Sequence, residues 1–253
     1  MSFIYRAILH FVVLLTVFSA SLATAEPSGT VLITGANRGI GFALAAEFYN
    51  NGWQVIGTTR KLEKASSLRS LGVQVEILDV SSQPSVDALS RRLQRQTIDI
   101  LINNAGILGV RSDDFAALDI SKLDRILDVN TLGPLRVIQA LLPNLDASKN
   151  KVIANISSSF GSIEQAMGGC CLGYAVSKTG LNMANKILST EYAEQGYIFA
   201  VLHPGPVATD IQLDGATSSA LDKSIARAKI FVKQTILSSP VNRITREQSA
   251  SAL

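Results

Sequence analysis

A chain of 253 residues, 47% hydrophobic and 17% charged, suits one large α/β domain and can fill a sizeable core. The net charge of +3 comes from scattered Lys and Arg, with no basic stripe and no interleaved aromatics, which argues against nucleic acid as a partner. The two cysteines are the neighbours Cys170 and Cys171, which give no disulfide framework and a poor zinc site, so no metal is expected. They read as two small residues packed in a loop, with a redox-sensitive vicinal pair as the second reading.

The N-terminus departs from the rest of the composition. Residues 7–25 are apolar and uncharged, Arg6 precedes them, and Glu26 and Pro27 follow. Ala23-Thr24-Ala25 offers small residues where a signal peptidase reads. The run also suits an uncleaved membrane anchor, and a buried first helix is a third option. The expected division is residues 1–25 as signal or anchor and residues 26–253 as the folded domain. Cleavage implies export, whereas an anchor is compatible with a domain held in the cytosol.

From residue 30 onward, short β-branched runs alternate with longer amphipathic ones. Strands are expected at 30–34, 54–58, 73–78, 99–103, 151–157 and 197–203, and helices at 39–51, 84–95, 122–142 and 174–195. Runs such as Ile98-Asp99-Ile100-Leu101-Ile102 are apolar nearly throughout, as parallel strands covered on both faces should be. Strands alternating with helices imply a doubly wound parallel sheet, a Rossmann-type α/β/α sandwich in a single domain.

The first strand runs straight into Thr34-Gly35-Ala36-Asn37-Arg38-Gly39-Ile40-Gly41 and then a helix. Glycines there allow backbone N–H groups to approach a pyrophosphate at the helix N-terminus. The second strand ends Thr59-Arg60-Lys61, with no carboxylate until Glu63. A carboxylate at that end favours an unmodified ribose, whereas Arg60 and Arg38 pair with a 2′-phosphate, so NADP(H) is the expected cofactor.

Tyr174-Ala175-Val176-Ser177-Lys178 places a phenol and an ammonium one helical turn apart. A cation held there depresses a phenol pKa that is about 10 in model peptides, so Tyr174 can exchange a proton with a carbonyl or alcohol oxygen. A surface pair of no consequence has the same spacing, and the surrounding motifs decide between the two.

Those motifs are the glycine turn, Asn103-Asn104-Ala105-Gly106 after strand four, Ser157-Ser158-Ser159 after strand five, and Tyr174 with Lys178. With them the chain resembles the short-chain dehydrogenases/reductases, of the single-domain kind and similar to carbonyl reductases related to the C-factor signalling protein. The resemblance spans about residues 30–210. It implies Tyr174 as the general acid or base, and Lys178 as the residue that lowers its pKa and binds the nicotinamide ribose. A serine, Ser158 by its spacing to Gly161, would polarise the substrate carbonyl, with Ser157 and Ser159 as alternatives. Asn130 would kink the fourth helix and hold a water that relays protons to Lys178; its alternative is a helix-interior amide facing solvent. For the cofactor, the resemblance implies the glycine turn from Thr34 to Gly41, Asp79 and Val80 beside the adenine, Asn103, Ala105 and Gly106, and Pro204, Gly205, Val207 and Thr209 over the nicotinamide. His203 is expected to be a strand-end histidine rather than a base.

Two stretches depart from the family pattern. Tyr174 follows Ser158 by sixteen positions, and the interval includes Gly168-Gly169-Cys170-Cys171. After Asp210 the family supplies a covering loop, a helix and a seventh strand, but residues 211–253 offer a helical stretch at 221–237, a polar end and no convincing strand. The implied activity is NADP(H)-dependent reduction of a small or medium apolar ketone or aldehyde, as a homodimer or homotetramer. The alternative is a dinucleotide-binding regulatory protein with little turnover.

Overall fold

In the computed structural model of the chain, the described residues are 27–109, 115–116, 118–166 and 171–204. The N-terminal run, residues 167–170, and everything from Gly205 onward, with Val207, Thr209 and residues 211–253, lie outside them. Six strands form one sheet: β1 Thr30–Ile33, β2 Gln54–Thr59, β3 Gln74–Ile77, β4 Ile100–Asn103, β5 Val152–Ile156 and β6 Ile198–Leu202. Their order is β3-β2-β1-β4-β5-β6 and every pairing is parallel. The helices are α1 Gly39–Asn50, α2 Ser66–Leu71, α3 Gln83–Leu93, α4 Ile120–Leu127, α5 Gly133–Asp146 and α6 Leu172–Glu191. This is the doubly wound sheet expected from the sequence.

Strand alternation explains why the strands read as unbroken apolar runs. Leu32, Ile56, Leu101 and Ile153 point to one face and join Leu89, Leu93, Val137 and Leu141 from α3 and α5. Val31, Ile33, Val55, Ile100 and Ile102 point to the other and meet Phe48 and Leu44 of α1. Both faces are core, so both parities are apolar. The strand order reverses between β1 and β4, and at that switch point a crevice opens at the carboxyl ends of the strands.

The expected helix at 122–142 is not continuous. Between α4 and α5, residues Asp128–Leu132 form a π-turn, in which Gly133 N–H donates to the Asp128 carbonyl five residues back. Pro134 gives the cause: it has no N–H to offer the Asn130 carbonyl four residues back, and its ring would crowd that oxygen. The turn therefore sits at Asn130. Among the described residues, no helix is long and apolar enough to cross a membrane.

Candidate active site

The glycine turn is fixed by what surrounds it. Gly35 adopts φ 63°, a left-handed conformation that favours glycine, and its N–H donates to Thr58 Oγ1 at 3.2 Å. A Cβ on Gly41 would lie 2.5 Å from both Asn104 Nδ2 and the Gly35 carbonyl, so only glycine fits. Thr34 is buried, and its Oγ1 accepts from Asn104 N and Ala105 N at 3.0 Å each. Asn104 Nδ2 donates to the Thr34 and Gly35 carbonyls at 2.9 and 3.1 Å. The turns after β1 and β4 are thus stitched together across the switch point. Asn37, Gly39 and Ile40 are part-exposed and Arg38 is exposed, at the opening of α1. That helix has no acidic residue in its first turn and no side-chain cap bond, which fits an anionic group there.

At the end of β2, Arg60 is exposed, while Asp79 and Val80 follow β3. Burial pushes the Asp79 carboxyl up, but hydrogen bonds from Ser81, with Arg125 and Arg60 nearby, outweigh it and hold the group below its usual range. Ser81 Oγ and N donate to Asp79 Oδ1 at 2.6 and 3.0 Å. Val80 is buried.

At the start of α6, Tyr174 and Lys178 share a face, and Lys178 Nζ lies 5.6 Å from the Tyr174 ring centre. Burial raises the Tyr174 pKa, and the opposing pull is a hydrogen bond with Ser158. Lys178 is buried, which lowers its own pKa to about 8, and Nζ donates to the Ile156 carbonyl at 2.8 Å. Phe160 packs edge-on to Tyr174 with ring centres 6.0 Å apart.

The three serines have different surroundings. Ser157 is buried and its Oγ donates to Asn182 Oδ1 at 2.7 Å. Ser159 is exposed, with its N–H on His203 Nδ1 at 3.2 Å. Ser158, between them, is the one beside Tyr174. His203 therefore sits at a strand end, against the serine turn.

Asn130 does not face solvent, as its alternative reading would require; it is fully buried. Its Oδ1 accepts from Ile107 N at 2.8 Å, and its Nδ2 donates to the Ile107 carbonyl at 2.8 Å and to Ser177 Oγ at 3.0 Å. Ser177 Oγ donates in turn to the Tyr174 carbonyl at 2.7 Å. A Cβ on Gly106 would stand 3.3 Å from Asn130 Oδ1 and 3.8 Å from Lys178 Nζ, so the turn after β4 reaches both. Pro134 denies the Asn130 backbone carbonyl its ordinary helical donor.

The Asn103 side chain faces away from the glycine turn. The residue is 3% exposed and turned into the sheet, where Nδ2 donates to Asn155 Oδ1 at 2.9 Å; Asn103 Oδ1 has no hydrogen-bond partner among the described residues. The neighbour Asn104 is the one that shapes the glycine turn. Asn104, Ser177 and Asn182 were not singled out from sequence, although the spacing of Lys178, Asn182 and Asn185 marks one polar face on an otherwise amphipathic helix. Pro204 lies at the end of the described chain. Cys171 is buried, has φ 64° and is disulfide-bonded, so it is not a free packed thiol.

Residues 29–218 match the family model for short chain dehydrogenase. The chain is 38% identical over 125 residues to the C-signal of Myxococcus xanthus, covering 49% of this chain and 75% of that protein. It is 30% identical over 203 residues to the NADPH-dependent pterin aldehyde reductase of Arabidopsis thaliana, covering 78% and 82% respectively. Among solved structures, the carbonyl reductase Sniffer of D. melanogaster aligns with a TM-score of 0.73 at 27% identity, covering 88% of this chain and 94% of that one.

Proposed function

The chain belongs to the short-chain dehydrogenases, and we propose that it is an NADP(H)-dependent oxidoreductase that reduces a carbonyl, or oxidises the matching alcohol, through Tyr174, Ser158 and Lys178. The observation that carries this reading is the meeting of Ser158 and Tyr174 beside a buried Lys178 at the carboxyl end of β5.

The residues present fit a dinucleotide. The Thr34–Gly41 turn has no room for a side chain at Gly41 and opens at an uncapped helix terminus, as a pyrophosphate would require. Arg60 and Arg38 would hold the 2′-phosphate, Asp79 and Val80 would flank the adenine, and Lys178 would bond the nicotinamide ribose. Gly205, Val207 and Thr209 are assigned to the nicotinamide end by family likeness alone. NADPH, when bound, supplies hydride to the carbonyl carbon.

The chain's own part is to place the substrate and move one proton. Ser158 Oγ donates to the substrate oxygen and opposes the charge that gathers there. Tyr174, whose burial keeps the phenol protonated at neutral pH, gives its proton to the same oxygen. Lys178 holds positive charge close to the phenolate that is left behind. A water held at Asn130 would relay a proton from solvent to Lys178 and so restore the Tyr174 phenol.

The test is NADPH oxidation by the purified protein against a panel of ketones and aldehydes. Turnover that Tyr174→Phe removes supports the enzyme. Tight NADPH binding without turnover on any of them, with wild type and Tyr174→Phe alike, would favour a regulatory protein instead.

A further inference from the structure

Successive residues at the end of β5 are tied to α6 by polar bonds. Asn155 Nδ2 donates to Asn185 Oδ1 at 2.8 Å, Lys178 Nζ to the Ile156 carbonyl at 2.8 Å, and Ser157 Oγ to Asn182 Oδ1 at 2.7 Å. Ser158 comes next. The second half of the Asn182 amide continues past it: Nδ2 donates to the Gly161 carbonyl at 3.2 Å. One amide, 9% exposed, thus grips the chain on both sides of Ser158.

The segment so held is short and closely fitted. Ser158 opens a single 3-10 turn, Ser159–Gly161, and the Phe160 N–H donates to its Oγ at 3.3 Å. A Cβ on Gly161 would fall 2.6 Å from Asn182 Nδ2 and 3.1 Å from the Lys178 backbone, so turn and helix are in direct contact. Thr179 Oγ1 adds a second bond to the Gly161 carbonyl at 3.2 Å. Truncating Asn182 would leave the Ser157 hydroxyl without its partner and the Gly161 carbonyl with half its bonds. Both anchors of the turn would loosen, while Tyr174, two helical turns away on α6, would stay where it is.

We propose that Asn182 is a positioning residue: it fixes Ser158 against Tyr174 by holding Ser157 and Gly161 at the two ends of the turn. It acts through Ser158, and the inference rests on the proposed role of Ser158 at the substrate oxygen. Small displacements of such a group cost up to about 100-fold in rate, so a bond pattern that serves only folding and one that serves positioning predict different kinetics.

The experiment is a double-mutant cycle on the full chain, with Asn182→Ala, Ser158→Ala and the pair, in the carbonyl reductase assay. NADPH affinity by fluorescence titration and the thermal midpoint are measured on every variant. Asn182→Ala is expected to lower kcat by roughly 10- to 100-fold with NADPH affinity unchanged. In the Ser158→Ala background the same change is expected to lower kcat by no more than about twofold, because its effect runs through the missing hydroxyl. Equal losses in both backgrounds, or an unchanged kcat in Asn182→Ala, would overturn the proposal. If Asn182→Ala does not fold, Ser157→Ala breaks one anchor alone and is held to the same two criteria. Failure of the underlying reading shows separately, as an active Ser158→Ala enzyme.

Discussion

Lys178 Nζ stands 5.6 Å from the centre of the Tyr174 ring and directs its hydrogen bond to the Ile156 carbonyl at 2.8 Å. The ammonium is thus docked on the strand end that leads to Ser157 and Ser158, and it lies over the phenol rather than bonded to it. Strand, helix and cation are fixed by one contact.

Burial lowers the Lys178 pKa to about 8, so the ammonium is present below that pH and lost above it. If the charge supports Tyr174 and the ribose, kcat/KM for NADPH is flat near neutrality and falls as pH rises through about 8. A pH profile with saturating carbonyl substrate reads the free enzyme and checks this.

The three adjacent serines separate by phenotype. Ser158→Ala should lose roughly 100- to 1,000-fold in kcat, the loss typical of removing a donor to a developing oxyanion. Ser159→Ala, exposed and bonded through its backbone, should be near wild type. Ser157→Ala removes the donor to Asn182 and, beside the kcat loss expected from loosening the Ser158 turn, should lower stability by about 1–3 kcal/mol, read as a shift in denaturant midpoint.

The sequence carried the sheet plainly because both faces of every inner strand are core, so parity made no difference to the apolar pattern. Tyr174 and Lys178 were equally plain, since their spacing is a local property of a helix. Asn130 was legible only as a motif residue. The π-turn that buries it depends on Pro134 four residues on, and hydrophobic periodicity runs through residues 122–142 without a break. The direction of the Asn103 side chain was not legible from the motif, because strand position decides it, and position 103 points inward. The raised phenol pKa was not legible at all: it depends on burial, a tertiary property, and on which serine faces the ring.

Gly41→Ala should weaken the cofactor turn. The new methyl would overlap Asn104 Nδ2 and the Gly35 carbonyl, the bond pair that joins the turns after β1 and β4. Overpacking of this kind costs about 1–3 kcal/mol, so both the thermal midpoint and NADPH affinity should fall. Unchanged affinity would mean that the turn does not touch the dinucleotide.

Arg60→Asp should exchange cofactor preference. Loss of a charge-assisted bond, with a carboxylate now facing the 2′-phosphate, should weaken NADPH binding about tenfold or more and leave NADH binding equal or tighter. Titration with both cofactors measures it. A protein that already binds NADH as tightly as NADPH, unaffected by this substitution, would not be an NADP(H) enzyme.

In the proposed reaction the Tyr174 hydroxyl supplies the proton. The direct measurement is Tyr174→Phe, which keeps the ring against Phe160 and removes only the oxygen beside Ser158. NADPH titration and carbonyl reduction are followed on the same preparation. NADPH affinity is expected to stay close to wild type, with no detectable turnover. Turnover retained in Tyr174→Phe would contradict this role.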